Sequence, residues 1–350
     1  MLYNKDGGEV EMLNERIALI EKIEKMRDAR VIMYVLGDRQ GLESQIAKDT
    51  IDIFVDHLDR IGTTRKISLI LYTIGGDTLA AWNIVNLINQ YCDEFEVIVP
   101  YKALSAGTLM CLRANKILMT KQAVLGPIDP SINTPLNPKL ENNALIPNMP
   151  QTYPVSVESI KSYFDFAKSE LKLKNTELGD VLLNLSEKVH PLVIGQTFRT
   201  IAQIKMIARK LLKNAKTDQK HIEKIIRFLC SDSGSHDYTI NCKEASEELH
   251  LPVEEVNGEL YVAIKELYED FKTELMLGHA IDFQQMDSAN PGQSDFSLKA
   301  GLIESNGSVN HCFSHKGLLT RMQLQPNQVQ IVPRVTFTGW EEQKHPTKGR

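Results

Sequence analysis

The stretch ISLILYTIGGDTLAA (Ile67–Ala81) decides how the rest of the chain is read. Its first part, Ile67–Tyr72, is an apolar run of strand length without alternation, which suits a strand buried on both faces, as in a parallel sheet. Gly75 and Gly76 follow at the strand end, where glycine lets the backbone turn its N–H groups outward. Outward N–H groups beside a helix start can hold an anion or an oxyanion, although Gly-Gly after a strand is as often a plain tight turn. Helical spacing resumes over Leu79–Gln90.

The same alternation runs outward from this stretch. Upstream, Leu13, Ile17, Ile20, Ile23 and Met26 mark an amphipathic helix over 11–29, Val31–Leu36 a short strand, and Ile46–Ile61 a helix capped by Gly62. Downstream, Glu96–Pro100 and Ile117–Thr120 read as strands and Ala106–Arg113 as a helix. Strands alternating with helices imply βαβ units and a parallel sheet, an α/β fold. Residues 126–155 hold seven prolines and are expected to form a long surface loop near the site or at an oligomer contact. From Ser156 to Leu275 the pattern is mainly helical. Phe296–Phe337 carries short β-like runs separated by Asn-Gly and Lys-Gly, expected as turns of a small β appendage, and Glu341–Arg350 reads as disordered.

Composition sets outer bounds. The 350 residues are 42% hydrophobic and 24% charged, ordinary for a globular chain with a sizeable core. A net charge of −5 gives no global reason to bind nucleic acid or an anionic membrane, and the basic run Lys205–Lys216 has the spacing of a solvated helix face. Five cysteines without a CxxC pair point to free thiols in a reducing cytoplasm. His311 and His315 flank Cys312, but no second ligand cluster accompanies them, so no metal is expected. No apolar run is long enough to span a bilayer, and the polar start MLYNKDGGEVEMLNER lacks a signal-peptide core. GxGxxG and GxxxxGK[ST] are both missing, so no nucleotide cofactor is expected and any ATP-driven unfolding would come from another chain.

Three further segments carry polar groups that could do chemistry. VPYKALSAGTL places Ser105 between a strand end and an apolar helix, where it is either an N-cap or a nucleophile. LGPIDP fixes a turn containing Asp129. SHDYTI places His236 in the loop before a helix for which Asn241 and Glu244 form a capping box.

In this order and spacing, with 29 residues from Gly76 to Ser105 and 24 from Ser105 to Asp129, the motifs resemble the Clp-protease/signal-peptide-peptidase-A clan. The closest resemblance is to the serine dehydrogenase proteinase family. Its strand ending in a P-G-G-like turn, its V-P-x-x-x-S-x-G-T-L, its L-G-P-x-D-P and its late H-D-x-x-I all have counterparts here, over roughly residues 15–255. The resemblance implies a Clp/crotonase-like ββα superhelix over 1–255, with 256–350 as a helix, a β-rich appendage and a tail. It further implies a cytoplasmic homo-oligomer that hydrolyses peptide or protein substrates. Ser105 would be the nucleophile, and Gly75, Gly76 and Ala106 the oxyanion hole.

The chain departs from the family pattern at Ile74, where proline is usual, and at the base. Clp peptidases carry a histidine near the place of Asp129, and signal peptide peptidases a lysine farther on. Here His236 oriented by Asp129 is one base; Lys161 or Lys102 is the alternative. Two other classes share parts of the pattern. A crotonase-like acyl-CoA enzyme would use the oxyanion hole without a nucleophilic serine, and an inactive oligomeric scaffold would keep Ser105 only as a cap.

Overall fold

The computed structural model describes residues 7–129, 131–139, 152–212, 218–289, 295–307, 309–325 and 328–343. Contacts divide the chain into two units, residues 1–125 with 239–350, and residues 126–238.

The first unit opens with helix α1 (Gly7–Arg27), strand β1 (Arg30–Leu36), α2 (Ile51–Ile61), β2 (Thr64–Tyr72), α3 (Thr78–Tyr91) and β3 (Cys92–Val99). The short β4 (Lys102–Ala103), α4 (Ala106–Cys111), β5 (Lys116–Met119) and β6 (Val124–Leu125) follow. The second unit contains β7 (Ser131–Ile132), β8 (Val155–Ser156) and four helices, α5 (Val157–Ser169), α6 (Leu178–Lys188), α7 (Pro191–Leu212) and α8 (Gln219–Arg227). The chain then rejoins the first unit through β9 (Ile240–Asn241), α9 (Cys242–Glu247), β10 (Val253–Glu255), α10 (Gly258–Glu274) and α11 (Phe283–Ala289). It ends in β11 (Asp295–Ser305), β12 (His311–Gln325) and β13 (Gln328–Glu342).

Eight strands make the main sheet in the order β10-β5-β3-β2-β1-β11-β12-β13. The first five are mutually parallel and the last three join antiparallel to one another and to β1. Alternation of side chains across β1 shows why these strands read as unbroken apolar runs. Val31, Met33 and Val35 pack with Ile20 and Ile23 of α1 and Leu267 and Phe271 of α10. Tyr34 points the other way and meets Phe54 of α2 edge-on at 5.1 Å. Both faces are therefore covered by helices.

Residues 295–342, expected as a small β appendage, join the main sheet. Ile32–Leu36 of β1 pairs in register with Ser305–Gly301, so these strands continue the main sheet. The expected Lys-Gly turn also proves different, since Lys316 and Gly317 lie inside β12 at a bulge. A side chain on Gly317 would put its Cβ 2.2 Å from Arg334 O, so glycine is there for close approach. Glu341 and Glu342, expected in a disordered tail, pair with Cys312 and His311. Of the proline-rich segment, Pro130 and residues 140–151 lie outside the described residues; Ile132 and Val155 on either side pair as β7 with β8.

Candidate active site

Two loops at the carboxyl ends of β2 and β3 are stitched together. Thr73 N–H donates to Lys102 O (3.1 Å) and Leu104 N–H to Thr73 O (3.0 Å), extending the sheet by one bridge between Thr73 and Ala103. The Gly-Gly turn and Ser105 emerge from this bridge side by side. A Cβ on Gly75 would stand 2.7 Å from Ser105 Cβ and 3.2 Å from Ser105 Oγ, and Gly75 has φ +115°. Only glycine fits there. Gly76, at φ +141°, is closer still to its neighbour, since a Cβ would fall 2.4 Å from Ile46 O. Ile46 clamps the loop by donating its N–H to Gly75 O and accepting from Asp77 N–H, both at 2.8 Å. Asp77 then caps α3 by accepting from Leu79 and Ala80 N–H.

Ser105 sits at φ 52° and ψ −115°, in the left-handed half of backbone space that a residue with a side chain seldom adopts. It heads α4, yet its side chain caps no helical N–H, and among the described residues its hydroxyl makes no hydrogen bond. Gly107 makes the sharp turn feasible, because a Cβ there would meet Thr73 Cγ2 at 2.5 Å. Thr108 Oγ1 secures the turn by donating to Ala103 O (2.8 Å). A strained serine between strand and helix, with its hydroxyl uncommitted, is the geometry of a nucleophile elbow.

The backbone donors around it differ. Gly75 N–H donates to Thr73 Oγ1 at 2.9 Å, so it is already engaged, and the role left to Gly75 is room for Ser105. The N–H groups of Gly76 and Ala106 make no hydrogen bond among the described residues. Thr73 heads the motif read from the sequence, whereas Ile46, expected as the start of a helix, instead bridges to Gly76, and α2 begins only at Ile51. Nothing local in the sequence marks Ile46 for that contact.

Asp129 and His236 meet in the second unit. His236 Nδ1 lies 2.9 Å from Asp129 Oδ1; the aspartate side chain is 8% exposed and the imidazole 50%. A carboxylate only accepts, so Nδ1 carries the proton and Nε2 is the acceptor of the neutral ring. The Asp129 hydrogen bond raises the imidazole pKa above its ordinary 6.5 against the opposing effect of burial. The His236 loop is built on Ser235, whose carbonyl accepts from Tyr238 N–H and whose hydroxyl accepts from Asp237 N–H. The segment carrying Asp129 is held by Ile128, whose N–H donates to Leu229 O at 2.8 Å.

The two lysines are otherwise occupied. Lys161 pairs with Glu158 on its own helix at 3.7 Å. Lys102 pairs with Asp38 and lies over the Tyr72 and Tyr101 rings, in a cavity that Ser105 does not line.

The model of the ClpP-like SDH-type serine proteinases matches residues 8–142, which include the Gly-Gly turn, Ser105 and Asp129. A relative from Methanocaldococcus jannaschii, the uncharacterized protein MJ1495, is 30% identical over 241 residues, covering 67% of this chain and 70% of its own length. The chain belongs to the ClpP-like SDH-type serine proteinase family. Another relative from that organism, the uncharacterized protein MJ0137, is 30% identical over 59% of this chain, and the match spans only 59% of that protein's length. Among solved structures, the 1510-N membrane-bound stomatin-specific protease is similar at 17% identity and TM-score 0.38, over 69% of this chain and 85% of its own. A likeness that slight bears on neither fold nor function. No helix among the described residues is long and apolar enough to cross a membrane, and the five cysteines of this family member are free.

Proposed function

We propose that the chain is a serine-type peptidase that cleaves peptide bonds through an acyl-enzyme on Ser105. The observation that carries this reading is the strained, uncommitted Ser105 against Gly75, flanked by the unengaged N–H groups of Gly76 and Ala106. In this mechanism Nε2 of neutral His236 takes the Ser105 proton as Oγ attacks the substrate carbonyl. Asp129 holds the ring through Nδ1 and stabilises the imidazolium. Gly76 and Ala106 N–H hold the tetrahedral oxyanion, with about 100- to 1,000-fold in rate resting on each such donor. The imidazolium then protonates the leaving amine, and a water, deprotonated by the same ring, releases the acyl group. The ion pairs of Lys102 and Lys161 favour His236 over either lysine.

A fluorophosphonate probe tests the reading directly. Labelling should map to Ser105, and Ser105→Ala should abolish both labelling and peptide hydrolysis with the fold intact, since no cap hydrogen bond is lost. Undiminished hydrolysis by Ser105→Ala would sink it.

A further inference from the structure

The cavity that Lys102 lines, of about 550 Å³, opens at the carboxyl ends of the parallel strands. Asp38 follows β1, Tyr72 ends β2, Tyr101 and Lys102 follow β3, and α10 covers the opening. This edge of a parallel sheet is where α/β proteins hold ligands, and the volume is that of a small-molecule site. It is separate from the serine. Gly107 of α4 stands over Leu71 on one face of the sheet, whereas Tyr72 packs with Phe271 of α10 on the other.

The lining has a definite chemistry. The Lys102 ammonium pairs with Asp38 and lies 5.6 and 5.5 Å from the Tyr72 and Tyr101 ring centroids, while Tyr72 OH donates to Asp38 at 2.8 Å. An ammonium between a carboxylate and two ring faces is a cation cage already filled by the chain itself. The inner carboxylate is thus neutralised and offers nothing to a cationic ligand. Helix α10 then presents Tyr261, Lys265, Tyr268 and Lys272 to the cavity, a stripe at spacings of four, three and four. Lys272 shares its charge with Glu269 at 3.2 Å; Lys265 is exposed and has no ion pair among the described residues. Three lysines against two carboxylates, Asp38 and Glu269, leave one positive charge over. The wall is flat: Tyr101 is stacked on Tyr268 at 5.5 Å and 18°, and is itself 38% exposed. Burial pushes the Tyr268 phenol up to about 12 and raises that of Tyr72, so both stay neutral.

We propose that this cavity binds a small aromatic acid, with its anionic group held by the lysines of α10 and its ring laid on Tyr101. Calorimetric titration of the full chain with 2-naphthoate tests it, with the matched amide and 2-naphthylmethylamine as controls. Because binding is read without turnover, the result is independent of what Ser105 does. The acid should bind saturably, with a dissociation constant on the order of 1 mM or tighter for a ligand of that size. The amide should bind at least about fivefold more weakly, and the amine should show no saturation. Replacing Lys265 and Lys272 together by Gln should weaken the acid about tenfold, and Tyr101→Ala should do the same. These side chains are partly or fully exposed, so the variants should keep the parent circular dichroism. Equal affinity for acid and amide, preference for the amine, no saturation, or variants that bind like the parent would each overturn the proposal.

Discussion

At the scale of single residues, Ser105 carries a conflict between stability and chemistry. Its φ of 52° costs a side-chain-bearing residue roughly 1–2 kcal/mol, and no cap hydrogen bond offsets it. Ser105→Gly should therefore raise the unfolding free energy by about 1 kcal/mol while removing activity, which denaturant melts beside a peptidase assay would check. A destabilised glycine variant would mean that the hydroxyl supports the fold. His236 makes the second residue-scale prediction. Only the neutral ring takes a proton, and Asp129 raises the pKa, so kcat/KM should climb with pH through a midpoint above 6.5. Asp129→Asn removes the largest cause of the shift, so the midpoint should move down while the rate falls at least about 100-fold. An unmoved midpoint would separate Asp129 from the titrating base. Ser105 and the glycines stood out locally as a helix start and a strand-end turn, and their proposed roles came from the resemblance. The Asp129–His236 pair, whose members lie 107 positions apart, came only from resemblance, since no periodicity links residues that far apart.

At the scale of elements, legibility followed burial pattern. β1, β2 and β3 announced themselves as apolar runs because both of their faces are covered. β10, reading Val-Glu-Glu, has no such run; it pairs with β5 through its backbone and through Glu254, which meets Lys116 of β5 at 2.7 Å. β12 was broken at Gly317, since a glycine that permits close approach looks in sequence like one that permits a turn. Helix α1 is bound to the sheet by a device that only three dimensions reveal. Arg16 is fully buried, and its guanidinium meets Glu304 of β11 and Asp270 and Glu274 of α10. Removing the cation alone leaves three carboxylates with Lys299 beside Glu274 and the Gln343 amide beside Glu304, an arrangement that costs on the order of 3–5 kcal/mol. Arg16→Met should destabilise by that amount at pH 7, and the deficit should shrink toward pH 5 as the orphaned carboxylates take up protons. A deficit under about 1 kcal/mol, or one that grows on acidification, would show that the cluster is not what holds α1.

At the scale of the whole molecule, the helices of residues 126–238 leave apolar surface in water. α6 reads LGDVLLNLSEK, yet none of its residues is buried. Leu183 is 67% exposed and Leu192, at the start of α7, is 68% exposed, with Phe166 and Phe198 also open. Single exposed leucines need no explanation, but several large apolar side chains gathered on one helical unit mark a surface used for association. The sequence pointed to association through its family resemblance, its amphipathic N-terminal helix and its proline-rich segment, but not to these helices, because helical periodicity shows that an apolar face exists but not what covers it. We expect the chain to form a homo-oligomer at micromolar concentration, measured by light scattering coupled to size exclusion. Leu183→Glu with Leu192→Glu should shift it to a smaller species with unchanged circular dichroism, because a carboxylate on either position is free in the monomer and desolvated in an interface. A monomeric parent chain would contradict association altogether. An oligomer indifferent to both substitutions would place the contact elsewhere and leave these leucines as exposed surface.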